Sequence, residues 1–122
     1  MKIMPFTKRT EFDTYQIIIW HPKAKEIISG FPEEVRKELG YLMHLLQRGE
    51  KLSMPHSRPM TSIAKGAHEL RVRGLDGVYR TFYYCKDHEG ILVFHAFIKK
   101  TQQTSPTDIN LGKKRLKELQ ES

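Results

Sequence analysis

Arginines on strand-like segments are the residues of this chain best suited to chemistry. In residues 68–73, strand alternation puts Arg71 and Arg73 on the side opposite Leu70, together with Glu69. The apolar side of such a strand must face the core. We therefore expect both arginines to project from the open face of a sheet.

A third arginine, Arg80, lies among the aromatic residues of the next strand-like segment. Alternation gives it Phe82 and Tyr84 as neighbours on its own side. A charged strand residue between bulky apolar side chains must pair with an acid or face an anion. Lys99 and Lys100 follow the third such segment and bring two more cations to the end of the sheet.

This set of cations fits phosphate chemistry. A guanidinium is planar, stays charged at any working pH and can donate two parallel hydrogen bonds to a phosphate. Such cations stabilise the phosphorane that forms when the 2′-hydroxyl of RNA attacks the adjacent phosphate. DNA lacks this hydroxyl and would be spared. The pattern favours cleavage of RNA without a metal ion or any other cofactor.

The proton-transfer group of such a reaction has several candidates: His95, Glu69, or a lysine whose pKa is lowered by neighbouring cations. Strict alternation would place His95 on the same side as Val93 and Phe97. A single histidine on such a face is more often a hydrogen-bonded core residue than a catalyst. The choice among these groups stays open.

Other classes of active site are excluded by missing motifs. The chain has no phosphate-binding Walker loop, no Gly-x-Ser-x-Gly elbow and no histidines at metal-ligand spacing. Its one cysteine, Cys85, rules out an internal disulfide. The longest apolar run, residues 17–20, is far short of the about 20 residues that span a membrane. We expect a cytoplasmic protein with no membrane partner.

Length and charge point to one basic domain. The chain has 122 residues, a net charge of +7 and an isoelectric point near 9.6. Residues 51–101 hold nine basic and four acidic groups, so this middle part carries +5 of the excess. A polyanion that meets one face would explain that distribution. Surplus lysine that merely keeps a protein in solution would give the same total.

The hydrophobic pattern predicts the elements that must position these residues. Prolines, glycines and the capping pair Ser105 and Asp108 mark their ends, and Gly-bearing links make the last three strands a meander of hairpins. Residues 1–14 are a possible N-terminal arm. The predicted elements are a strand at 15–20 in a central position, helices at 22–28 and 32–49, an extended loop at 50–67, strands at 68–73, 78–86 and 91–98, and a helix from residue 105 onward. The order β-α-α-β-β-β-α indicates an α+β domain with a small, mostly antiparallel sheet and helices on one face.

Three motifs carry a resemblance to a known family. In chain order they are Glu69-Leu70-Arg71, Tyr79-Arg80-x-Phe82-Tyr83 and His95-x-Phe97-x-Lys99-Lys100-Thr101-Gln102-x-Thr104. With the basic helix that follows, they resemble the HigB-like branch of the RelE/ParE toxin superfamily. These proteins are toxins of bacterial and phage-derived type II toxin–antitoxin pairs. The similarity extends from about residue 15 to the C-terminus.

The resemblance implies a RelE-like fold and a ribosome-dependent endoribonuclease that cuts mRNA during translation. It also implies a cognate HigA-like helix-turn-helix antitoxin, with operator DNA contacted only through that partner. On this pattern we expect the catalytic residues to be Arg80 first, then Arg71 and Lys99, with Arg73; His95 joins them as a candidate for proton transfer. The candidates for RNA binding are Lys100, Arg58, Thr101 and two tyrosines that could stack on bases, Tyr79 and Tyr83. Some relatives carry a C-terminal tyrosine or histidine, and this chain has neither after His95.

Two other functions fit the same residues. ParE-like toxins share the scaffold but bind DNA gyrase instead of cutting RNA, so fold alone does not choose between them. A basic binding module without catalytic activity would bind nucleic acid with a steep salt dependence and leave it intact.

Overall fold

A computed structural model describes residues 15–87, 89–99 and 103–122. The possible arm at residues 1–14 lies outside the described residues. The elements run in the order β1 (Ile18–Trp20), α1 (Pro22–Ser29), α2 (Glu33–Gln47), β2 (Ser57–Pro59), β3 (Ala67–Gly74), β4 (Gly77–Lys86), β5 (Gly90–Lys99) and α3 (Pro106–Glu121). The predicted α+β class is confirmed, and the predicted order holds with one added strand, β2.

The strands form a single sheet in the order β1-β5-β4-β3-β2. The neighbours from β2 to β5 are antiparallel, whereas β1 runs parallel to β5. Short links join β3 to β4 and β4 to β5, as the glycine-bearing segments predict. The three long strands therefore form a rigid platform at the centre of the molecule.

Strand β2 falls inside the segment that the sequence predicts as loop, so that prediction is wrong at this point. Pro59 argues against a central strand because it cannot donate a backbone hydrogen bond, but an edge strand tolerates it. Here β2 pairs only with β3, with Ser57 opposite Leu70 and Arg58 opposite Glu69. This pairing adds a fourth antiparallel strand to the sheet and brings Arg58 beside the arginines of β3.

Strand β1 is shorter than predicted and lies at the edge of the described sheet instead of at its centre. Its apolar character on both sides has a different cause. Ile18 and Trp20 pack against the core under α1 and α2, whereas Ile19 packs against the core under α3. An edge strand can thus be apolar throughout when both faces of its sheet are covered.

Helices cover both faces of the sheet. On β5, Ile91 and Val93 belong to the core that contains α1 and α2, whereas Leu92 and Phe94 belong to the core that contains α3. Successive strand residues point to opposite faces, so α3 lies on the face opposite the other two helices. The expectation that the helices pack on one face is therefore wrong, because β5 is apolar at successive positions and needs cover on both sides.

A glycine lets α3 lie close to this second face. A Cβ atom at Gly112 would come 3.0 Å from the Phe82 ring and 3.2 Å from Ile63. Real Cβ atoms rarely come that near, so a side chain here would push α3 away from the sheet. Leu116 follows one turn later and is buried in the same core.

A β-bulge in β5 changes which residues share a face. Phe82 pairs with His95 and Tyr83 with Val93, so Phe94 is an extra residue without its own partner on β4. After the bulge, His95 lies on the α3 face, where its ring stacks on that of Phe97. The strict alternation that grouped His95 with Val93 is broken here.

Within the described parts of the chain, no helix is both long and apolar enough to cross a bilayer.

We predict that leucines from both cores contribute to stability. Leu39 on α2 and Leu116 on α3 are each 3% exposed, so Leu39→Ala and Leu116→Ala should each lower the free energy of unfolding by about 2–5 kcal/mol. Leu75 in the β3–β4 turn is fully exposed, and Leu75→Ala should change it by no more than about 0.5 kcal/mol. Urea denaturation measures all three. A Leu116→Ala protein as stable as the Leu75→Ala protein would contradict a second core under α3.

Candidate functional site

A buried glutamate organises the basic residues of the sheet. The side chain of Glu69 is completely buried on β3. Its Oε1 lies 3.0 Å from Nε of Arg58 and 3.7 Å from Arg71, and its Oε2 lies 3.6 Å from Arg80. Three guanidiniums from three adjacent strands thus converge on one carboxylate, which we call the arginine cluster (Arg58, Arg71, Arg80 and Glu69).

The sheet register brings the cluster together. Arg58 lies opposite Glu69 across β2 and β3, and Arg71 lies opposite Arg80 across β3 and β4. Alternation puts all four side chains on the α3 face of the sheet. The segment before α3 adds Thr104, whose hydroxyl lies 3.4 Å from Arg80 and 3.5 Å from Glu69.

Arg80 is the interior member of the cluster, since only 1% of it is exposed. Burial is the main cause that lowers the pKa of Arg80, and the charge of Glu69 opposes this effect. The guanidinium nevertheless stays charged at working pH. A buried cation of this kind needs its carboxylate, because an unpaired buried charge is costly. Arg80 and Glu69 therefore form a buried ion pair that supports the outer arginines of the cluster.

Arg71 and Arg58 form the outer side of the cluster, with side chains that are 18% and 30% exposed. Arg73, two residues further along β3, is exposed. These three cations are the ones that an anion in solvent can reach. Two of the predicted site residues, Arg71 on β3 and Arg80 on β4, thus come together at Glu69, but Arg80, the first of the predicted catalytic residues, is the buried one.

A small groove of about 170 Å³ runs beside this outer side. Arg71, Arg73 and Val78 line it from the sheet, Pro55 and His56 from the segment before β2, and Glu38 from α2. Sequence reasoning missed His56 because residues 50–67 were predicted as a loop. His56 lies in the turn that leads into β2, and it comes beside β3 through the backbone hydrogen bond between its carbonyl and the Arg71 amide, which no local sequence signal predicts.

His95 is a structural link between β5 and α3. Only 3% of it is exposed, and its Nδ1 lies 2.7 Å from the guanidinium of Arg115. Arginine can only donate, so Nδ1 accepts and Nε2 carries the proton that it donates to Asp108 at 2.9 Å. Burial is the main cause of the lowered pKa of His95; the hydrogen bond to Asp108 opposes it, and the charge of Arg115 adds to it. Both ring nitrogens are thus occupied within the protein.

Lys99 lies at the end of β5 with its Nζ 3.8 Å from Oδ2 of Asp108. The same carboxylate accepts a hydrogen bond from the Ser105 hydroxyl at 2.8 Å, and the Asp108 amide donates to Ser105 Oγ at 3.2 Å. This pair begins α3 as the sequence predicts. The helix start therefore ties the Lys99 ammonium and the His95 ring to one carboxylate.

The two candidate stacking tyrosines lie on the other face of the sheet. Tyr79 packs edge-on against Phe31 and donates its hydroxyl hydrogen to Asp76 at 2.7 Å. Tyr83 is 3% exposed, and its hydroxyl lies 2.7 Å from that of Ser57. Neither ring is brought to the arginine cluster. The remaining candidates, Lys100 and Thr101, lie outside the described residues.

Among the described residues, no group of three or more histidine, cysteine, aspartate and glutamate side chains is placed to hold a metal ion.

Comparison with known proteins identifies the family of this chain and a solved structure that is similar to it. The family model described as "Phage derived protein Gp49-like (DUF891)" matches residues 26–117. No curated protein matches the chain. A chain in the crystal structure of the intact RelBE toxin–antitoxin complex from E. coli is similar at 17% identity, over 72% of this chain and 99% of that one, with a TM-score of 0.43.

We predict that the charge of Glu69 is required for stability. Glu69→Gln keeps the shape of the side chain but leaves three converging arginines without their carboxylate, which should cost about 3–5 kcal/mol of unfolding free energy. Glu33→Gln is the matched control, because Glu33 forms an exposed ion pair with Lys37 on α2 and should change stability little. Urea denaturation at neutral pH compares them, and equal losses would contradict the prediction.

We also predict a pH dependence that arises from His95. Because the fold lowers the pKa of His95, the unfolded chain takes up a proton first as the pH falls below about 6.5, and the unfolding free energy decreases there. Above that range both states are neutral at this residue and the effect is absent. Between about pH 7.5 and about pH 5.5, His95→Gln should make the decrease in unfolding free energy smaller. His44→Gln, at an exposed site on α2, should leave that decrease unchanged. An unchanged pH dependence in His95→Gln would refute the assignment.

Proposed function

This chain belongs to the phage-derived Gp49-like family, and from that membership we propose that it is the toxin of a type II toxin–antitoxin pair. Its activity is endonucleolytic cleavage of mRNA on the translating ribosome. The reaction proceeds by attack of the 2′-hydroxyl on the adjacent phosphate. The motifs around Glu69, Arg80 and Lys99, which resemble the HigB-like branch of the RelE superfamily, support the same assignment.

The observation that carries the proposal is the convergence of three guanidiniums on one face of a rigid sheet. The cluster holds three guanidiniums and one carboxylate, so its net charge is positive. Fixed cations act strongly on charge that develops in a transition state, because they need not reorganise as the reaction proceeds. A phosphorane forming at the outer side of the cluster would gain this stabilisation.

The members of the cluster have different roles in this proposal. Arg71 and Arg58 reach solvent and contact the scissile phosphate, and Arg73 contacts the phosphate backbone next to it. Arg80 and Glu69 hold the outer guanidiniums in place from within the sheet. Lys99 supplies a further catalytic cation, as the resemblance implies, and Lys100 and Thr101 belong to the RNA-binding surface.

The partners follow from the same assignment. A basic, partly open surface fits mRNA in the ribosome, and it also fits the acidic or apolar segment of an antitoxin that would cover it. The partner of the HigB-like branch is a helix-turn-helix protein of the HigA type, which binds operator DNA. All of these interactions take place in the cytoplasm and involve no membrane.

The test is primer extension on a reporter mRNA in a reconstituted translation reaction, with and without ribosomes. Arg71→Ala should reduce cleavage about 10²-fold or more, because it removes an outer guanidinium while Arg80 and Arg58 still pair with Glu69. Arg48→Ala removes the same charge from the exposed end of α2 and should leave cleavage unchanged. Circular dichroism checks that both variants fold.

The outcomes separate the alternatives. Cuts that need ribosomes and disappear in Arg71→Ala support the proposal in full. Intact mRNA with the wild-type protein would overturn it, and gyrase assays would then test the ParE-like alternative. Cleavage of naked RNA would keep the nuclease activity but remove the ribosome from the mechanism.

A further inference from the structure

His56 is a titratable side chain on the solvent side of the arginine cluster, and neither the motifs nor the family resemblance assigns it a role. It lines the small groove together with Arg71 and Arg73. We propose that His56 is the catalytic residue that takes the proton from the attacking 2′-hydroxyl. This inference rests on the proposed function and names the proton-transfer group, which the sequence motifs leave open.

The sheet register fixes the position of His56. The Arg71 amide donates a hydrogen bond of 2.8 Å to the carbonyl of His56, which extends the β2–β3 ladder by one residue beyond Ser57. Ser57 points to the face of Tyr83, and Arg58 points to Glu69 on the opposite face. His56 itself is in the turn that leads into β2, and its side chain is exposed. The backbone hydrogen bond to Arg71 brings it beside that residue.

Other histidines in the described residues are occupied or distant. His95 has both ring nitrogens engaged inside the protein. His21 accepts from the Lys23 amide at Nδ1 and lies 2.7 Å from Glu118 at Nε2. His68 stacks on Tyr83 on the other face of the sheet, and His44 lies on α2. His56 is exposed and lines the same groove as Arg71 and Arg73.

The charges around the groove fit a substrate phosphate. Arg71 and Arg73 face it from β3, and Glu38 faces it from α2. A phosphate held by the two guanidiniums would bring its ribose within the same small space as the imidazole. Imidazole is the side chain that most readily exchanges a proton at neutral pH.

The proposed step balances without a further reagent. The imidazole nitrogen takes the proton from the 2′-hydroxyl as the 2′-oxygen bonds to phosphorus, and the bond from phosphorus to the 5′-oxygen breaks. The leaving 5′-oxygen takes up a proton from solvent, and the imidazolium returns its proton to solvent. The products are a 2′,3′-cyclic phosphate and a 5′-hydroxyl end.

The test compares His56→Ala with His44→Ala in the reconstituted translation reaction. His56→Ala should reduce the cleavage rate about 10²- to 10⁴-fold while RNA binding stays unchanged, because a general base contributes to the chemical step only. His44→Ala, which removes an imidazole from α2, should cleave like the wild type. Added imidazole should restore part of the cleavage in His56→Ala, in proportion to its unprotonated form.

Rescue by imidazole distinguishes catalysis from a structural role, since a displaced strand would not be repaired by a small base. Arg71→Ala is the comparison, because its loss of cleavage should not respond to imidazole. Full cleavage by His56→Ala, or a loss that imidazole does not restore, overturns the role of His56 and leaves the nuclease proposal standing if Arg71→Ala is inactive. Absence of cleavage by the wild-type protein overturns both proposals.

Discussion

A carboxylate buried inside a sheet is the constraint on which the rest of this structure depends. Glu69 has no solvent contact, so its charge must be met within the protein. Arg58 on β2, Arg71 on β3 and Arg80 on β4 meet it from three strands, and Thr104 contacts it from the segment that leads into α3. One side chain thereby fixes the pairing of an edge strand, the registers of two neighbours and the approach of a helix. The same contacts that satisfy the glutamate gather the cations of the candidate site.

This arrangement separates the inner and outer roles of residues that look equivalent in sequence. Arg71 and Arg80 are paired across β3 and β4, yet one reaches solvent and the other does not. In the proposed nuclease, a guanidinium held by a buried partner would already have its orientation before the substrate binds, and it could therefore stabilise the transition state without reorganising. The cost is a site whose stability and chemistry are coupled. Substitutions at Glu69 or Arg80 are therefore expected to change folding as well as the proposed cleavage, whereas a substitution at Arg71 tests the proposed anion contact more directly.

The sequence predicts the regular parts of this structure and misses the irregular ones. Glycine-bearing links and capping pairs are local signals, so the hairpins and the start of α3 at Ser105 were found correctly. Strand β2 was missed because Pro59 disfavours a strand unless it lies at an edge, and edge position depends on the whole sheet. All helices were also predicted on one face of the sheet, whereas α3 lies on the face opposite α1 and α2. The apolar residues of β5 do not by themselves show which helix covers which face. Both errors concern which element lies beside which, and local pattern does not contain that information.

His95 and His56 show that local sequence pattern is also insufficient to predict which residues are available for chemistry. His95 stands in the strongest motif, but the extra residue Phe94 turns it towards α3, where Asp108 and Arg115 occupy its nitrogens. His56 stands in a segment without any motif, yet the continuation of β2 brings it beside Arg71 and the groove. A motif identifies residue types that a fold family uses, whereas availability for chemistry is decided by burial and by the partners of each polar atom. Of these two residues, the bulge in β5 helps to bury His95 against α3, whereas the turn before β2 leaves His56 exposed.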